Sequence, residues 1–241
     1  MLADVYFFGG IMKISGYIKS LTRFEKCLWL VSVSVITASF LISGGGDFLS
    51  LTASLIGVTS LIFIAKGFVL GQILMVVFSA FYGIISFFFS YYGEMITYLG
   101  MTAPMAVMSV VSWIKHPFKK TKEVEVARVT KAQIALMIVL TVAVTALFYF
   151  ILKALGNASL IISTVSVTTS FAAAYLTFLR SEFYALGYAA NDIVLIILWI
   201  IAAITDISCL PMVFCFVMFL FNDLYGFYSW RKMRKRQGSA S

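Results

Sequence analysis

Two apolar stretches carry polar and aromatic side chains in an arrangement that could hold a small molecule. One contains Tyr188, Asn191, Asp192 and Trp199; the other reads Asn222-Asp223-Leu-Tyr225-Gly226-Phe-Tyr-Ser-Trp230. Each stretch is otherwise Ile, Leu, Val and Phe. A charged group at the centre of a bilayer costs about 2.5–3.5 kcal/mol on insertion scales, so such residues face a cavity, a pathway or another helix. At helical spacing Tyr188, Asp192 and Trp199 share a face, with Asn191 beside it. Asn222, Tyr225 and Ser229 share another. An earlier helix presents Gln72, Ser79, Gly83 and Ser86 in one stripe.

Carboxamides donate and accept in one plane, and burying one without a partner is costly. Gln72, Asn191 and Asn222 therefore bind one another or a polar ligand. Trp199 sits deep in an Ile/Leu run, where an interfacial belt does not account for it. A ring that stacks, with amides in reach, suits a flat and largely uncharged aromatic ligand such as a nucleoside or vitamin. Asp192 and Asp223 could couple transport to protons, or cap and bridge neighbouring helices. The hydroxyl stripe Ser163, Ser166, Ser170 and Thr177 reads as close helix packing. Trp113, beside basic residues, reads as part of an interfacial belt.

These residues need helices that cross a membrane to position them. The chain has 241 residues, 62% hydrophobic and 12% charged, far from the balance of a soluble domain. An all-α integral membrane protein is expected, with eight spans near 25–43, 48–65, 68–90, 94–114, 132–153, 159–179, 183–205 and 209–230. Residues 1–24 form a cytoplasmic N-terminal segment. Within it Ile11, Ile14, Ile18 and Leu21 share a face, which suits a short interfacial helix. Residues 115–131 form a basic loop and 231–241 a basic tail, whose last four residues resemble a tag remnant. No cleavable signal peptide is evident. Turn chemistry lies at Gly44-Gly45-Gly46, Tyr92-Gly93 and Gly156-Asn157.

The net charge of +8 belongs to this topology and implies no nucleic acid. With both termini cytoplasmic, every Lys and Arg except Lys153 lies on the inner side, as the positive-inside rule requires. Cys27, Cys209 and Cys215 imply neither disulfide nor metal, and His116 reads as a solvated loop residue. One histidine, no paired carboxylates at ligand spacing on the inner face and no nucleophile elbow exclude an enzyme. No cofactor is implied.

The chain also repeats weakly. Residues 54–63 resemble 163–171, Leu70-Gly71-Gln72 resembles Leu186-Gly187-Tyr188, and Ser112-Trp113 resembles Ser229-Trp230, each pair preceding a basic segment in the last case. Spans two to four then recur as spans six to eight in parallel orientation, with span five (132–153) as linker and span one (25–43) as an extra N-terminal helix. Residues 48–114 and 159–230 are the two three-helix repeats. Parallel repeats with a site at their interface are a known transporter plan.

Asn191-Asp192 with Trp199, Asn222-Asp223-Leu-Tyr225-Gly226 with Trp230, Gln72, residues 54–59 and Tyr92-Gly93-Glu94 together resemble the PnuC family of bacterial vitamin transporters. The resemblance covers roughly residues 48–233 and implies a SWEET-like 3+1+3 fold. It further implies a homotrimer in the cytoplasmic membrane that carries nicotinamide riboside by facilitated diffusion, with a cytoplasmic kinase trapping the product. By the resemblance Gln72, Asn191, Trp199 and Asn222 contact ligand, and Tyr225 joins them. The sequence departs from the family's Trp-x-x-Trp at Ile196, where one ring is missing. A related vitamin or nucleoside, carried with or without protons, is the alternative.

Overall fold

Helix starts follow local chemistry. Thr22 caps the first long helix: its hydroxyl accepts from Glu25 N while Glu25 returns to Thr22 N. Thr130 and Gln133 repeat the same capping box after the basic loop. In the computed structural model, which describes residues 14–43, 48–88, 92–157 and 159–239, the chain is helical and has no strand among those residues. The helices are α1 Ile14–Lys19, α2 Arg23–Ile42, α3 Phe48–Ala65, α4 Val69–Phe88, α5 Tyr92–Thr97, α6 Ala103–Lys115, α7 Lys131–Ala154, α8 Leu160–Phe178, α9 Tyr184–Thr205 and α10 Leu210–Gly238.

Among the described residues seven stretches are long and apolar enough to cross a membrane: α2, α3, Gly93 through α6, α7, α8, α9 and Ile207 through α10. Helix α4 adds a shorter apolar stretch, Val69–Ile84. The outward faces carry Ile138, Val139 and Val142 on α7 and Ile193, Ile197 and Ile200 on α9. Apolar side chains on the outside are what lipid demands.

Helix α3 packs on α4 and α4 on α6; α8 packs on α9 and α9 on α10. Between these groups α3 meets α10 and α6 meets α8, while α7 rests on α8. The residues that carried the sequence repeat make matching contacts. Gly71 lets α4 approach α3 so closely that an added Cβ would lie 2.5 Å from Ile64 N, and a Cβ on Gly187 would lie 2.9 Å from Ala173 Cβ. Small residues at such crossings substitute for the driving force that water supplies elsewhere.

Trp113 corrects the belt expectation, and Trp230 shares its setting. Both are buried, at 1% and 0% exposure. Trp113 Nε1 donates to Thr177 O at 3.0 Å, and Trp230 Nε1 donates to Ile64 O at 2.8 Å. Each ring thus leaves the last helix of one group and ties the end of the first helix of the other. Their centroids are 5.3 Å apart, so the pair fills this end of the bundle. Tyr228, by contrast, is exposed.

The basic loop locks the same end. Val124 N donates to Gly67 O and Ala127 N to Arg180 O, at the turns that follow α3 and α8. The extension of α10 joins in through Gln237, which accepts from Val126 N and donates to Val124 O. Arg234 pairs with Glu182 at 2.6 Å, and Arg236 pairs with Glu123. His116 is exposed but not merely solvated, since its Nδ1 contacts Ser112 O and Arg180 Nη1. Burial holds the Arg180 guanidinium somewhat below its ordinary pKa.

The N-terminal helix α1 exists, and Leu21 of the expected face is buried just after it, in one cluster with Tyr17. Tyr17 is buried against Phe63 and Phe68, under Lys122, while Ile18 stays exposed. Ile11, Gly44-Gly45-Gly46 and the side chains of Ile14 and Ser86 lie outside the described residues, as does the last part of the tail.

Candidate substrate cavity

A cavity with about 910 Å³ of empty space, counted to its open part, lies between the two helix groups. One wall is α9, with Tyr188, Asn191, Asp192 and Trp199; facing it are Met75, Phe78 and Tyr82 of α4. Helix α8 contributes Ser163, Ser166 and Ser170, and α10 contributes Phe216, Phe219 and Asp223. The lining runs from Gly93 and Asn157 near one end of the bundle inward to Tyr188 and Asp223. The end filled by Trp113 and Trp230 lies beyond.

Four of the expected site residues therefore meet: Tyr188, Asn191, Asp192 and Trp199. Their common face on α9 is the helical spacing itself. Asn191 Oδ1 accepts from Ser166 Oγ and from Thr169 Oγ1, both at 2.9 Å. The two hydroxyls fix the plane of the carboxamide. The α8 serines thus line the cavity rather than serving only as helix contacts. Ser166 orients Asn191, and Ser163 donates to Asn157 Oδ1 at 3.2 Å.

Asn222 and Tyr225 are placed outside this lining. Asn222 Nδ2 donates to Ser32 Oγ at 2.9 Å, and Tyr225 donates to Glu25 Oε1 at 2.7 Å. Glu25 also pairs with Lys66 at 3.4 Å, and Trp29 Nε1 donates to Thr59 Oγ1. These contacts dock α2 on α3 and α10. One residue on a helix is 100° of rotation, so Asp223 faces the cavity while its neighbour Asn222 faces α2. Gln72 is also outside the lining. It lies on the α4 face that carries Met75 and Tyr82, one turn nearer the closed end, buried with Nε2 lacking an acceptor.

The sequence reading had no place for Tyr98 and Thr102, which also line the cavity. They belong to a π-helical turn, Tyr98–Thr102, between α5 and α6. Pro104 has no N–H for the carbonyl of Gly100, and the ladder loosens one turn earlier, with Ala103 N reaching Tyr98 O. A proline inside an apolar span was the available signal, and such bulges cluster at functional sites.

Ile196, the position where a second tryptophan would stand, packs partly buried against the main core. Its helical neighbour Trp199 is buried at 7% exposure and lines the cavity. Among the described residues no cluster of His, Cys, Asp and Glu has the spacing to hold a metal.

A polar, aromatic-lined cavity enclosed by membrane-spanning helices is the site of a transporter. The family described as nicotinamide mononucleotide transporter matches residues 47–232, and the chain belongs to it; it is a family of membrane transporters, not of enzymes. The nicotinamide riboside transporter PnuC of Neisseria mucosa is 29% identical over 238 residues, 95% of this chain and 90% of that protein. The nicotinamide riboside transporter PnuC of Haemophilus influenzae is 23% identical over 215 residues, 88% of this chain and 91% of that protein. A solved structure described as the crystal structure of the vitamin B3 transporter PnuC matches with a TM-score of 0.77 at 26% identity, covering 90% of this chain and 94% of the other.

Proposed function

We propose that the protein carries nicotinamide riboside across a bacterial cytoplasmic membrane by facilitated diffusion. The observation that carries this reading is the cavity's own chemistry. It offers an aromatic face in Trp199, amide donors in Asn191 and hydroxyls in Tyr188 and the α8 serines. Among the described residues its lining contains no lysine, arginine or histidine. A phosphate monoester needs such a group or a helix N-terminus, so the riboside suits the cavity better than the mononucleotide. The names of the two relatives point the same way.

In this reading Trp199 stacks on the base, and Asn191 and Tyr188 bond the carboxamide or ribose. Helices α3, α4 and α6 form one repeat and α8, α9 and α10 the other; α7 links them in parallel, and α2 stands outside. With α4 counted as an eighth span, both termini lie in the cytoplasm in this reading. The cavity then reaches toward the outer side, and the tryptophan pair with the basic loop closes the inner side. Rocking of one repeat on the other reverses access. Gln72, a turn beyond the cavity floor with its Nε2 unpaired, meets the ligand as the inner side opens. Intracellular phosphorylation by a kinase gives net direction, and the protomers assemble as trimers.

Uptake into proteoliposomes tests this. Labelled riboside is expected to equilibrate without a proton gradient, and excess unlabelled riboside inside is expected to speed exchange. Uptake that appears only with an imposed proton gradient would replace the passive reading with a coupled one.

A further inference from the structure

Among the described residues the cavity lining contains three carboxyl groups, Glu94, Asp192 and Asp223, and no basic side chain. Asp192 and Asp223 are each 3% exposed, and their carboxyl groups lie against each other across the α9–α10 contact. Neither forms an ion pair with any described residue; the described ion pairs use Glu25, Glu182 and Glu123. Asp192 Oδ2 is buried with no donor to it. Glu94 stands apart, beside the Tyr82 hydroxyl.

Two carboxyls in contact in a dry site do not both ionise. Helix bridging alone accounts for their contact with each other but not for Asp192 Oδ2, which is left without a partner. A cation in the cavity beside Trp199, whose ring face also favours one, gives a carboxylate there the partner it lacks.

We propose that the Asp192–Asp223 pair is the counter-charge that makes this cavity select a cationic ring over a neutral ring of the same shape. This rests on the riboside reading. The ring nitrogen of nicotinamide riboside is glycosylated and holds a fixed positive charge. A carboxylate of the pair opposite it neutralises the bound ligand within the membrane. Selection then rests on charge as well as on the flat shape that the sequence suggests.

The test compares nicotinamide riboside with benzamide riboside, a neutral analogue in which carbon replaces the charged nitrogen. Both are titrated by calorimetry into the purified full chain. The wild type is expected to bind the cation at least about tenfold more tightly, as loss of one member of a buried charge pair implies. Asp192→Asn/Asp223→Asn, which keeps shape and removes the charge, is expected to bind the two alike. Equal wild-type affinities would overturn the inference and leave the riboside reading standing, and this comparison needs no variant. Retained discrimination in the double variant would also overturn it. Binding of neither compound by the wild type would overturn the riboside reading and the inference with it.

Discussion

Trp199→Ala is expected to weaken riboside binding by roughly 10- to 100-fold, because stacking of a base on an aromatic ring is worth about 1–3 kcal/mol. The substitution acts at the cavity wall, since Trp199 lines it and is almost fully buried. Trp199 is the one tryptophan of α9, so no other on that helix can take over. Trp199→Phe keeps a smaller face and is expected to fall between the two. Calorimetry on purified protein reads both. An unchanged dissociation constant in the alanine variant would remove Trp199 from the site and would leave the ligand held by Asn191, Tyr188 and the carboxyl pair.

Trp230→Ala is expected to lower the melting temperature by roughly 6–20 °C. Removing a buried tryptophan costs about 3–5 kcal/mol, and a chain of this size loses about 2–4 °C per kcal/mol. The ring touches Trp113 and Tyr184, the latter at a centroid distance of 4.9 Å. Its loss also strips Ile64 O of the indole donor at the crossing of the two helix groups. Trp230→Phe retains much of the packing and loses the hydrogen bond, so a smaller shift is expected. Tyr228→Ala, two residues away and exposed, serves as the control and is expected to melt near the wild type. Equal melting of Trp230→Ala and wild type would contradict the assignment of the pair as the fastening between the groups.

The two variants separate what the sequence displays from what it conceals. Gly71 and Gly187, or Trp113 and Trp230, were legible as pairs because a repeated contact needs a repeated residue type. Tyr188, Asn191, Asp192 and Trp199 were legible as a face because helical spacing alone brings them together. The orientation of Asn222 and Tyr225 was not. Helix α10 is polar on two sides, and spacing does not say which side meets the cavity. The answer lies in Glu25 and Ser32 of α2, more than 180 residues earlier, whose polar groups need partners. The burial of Trp113 was hidden for a similar reason. A tryptophan beside lysines looks alike in a belt and in a core, and only Thr177 O distinguishes them. The α8 hydroxyls could pack or bind on spacing alone, and Asn191 decides between the two uses.

The most direct measurement of the central claim is a pair of titrations of the purified wild-type protein, one with nicotinamide riboside and one with nicotinamide mononucleotide. A cavity lined by Trp199, Asn191 and carboxyl groups, with no basic side chain, predicts that the riboside binds and that the mononucleotide, carrying a phosphate, binds at least about a hundredfold more weakly. Mononucleotide binding as tight as riboside binding would contradict the account and move the site away from this cavity.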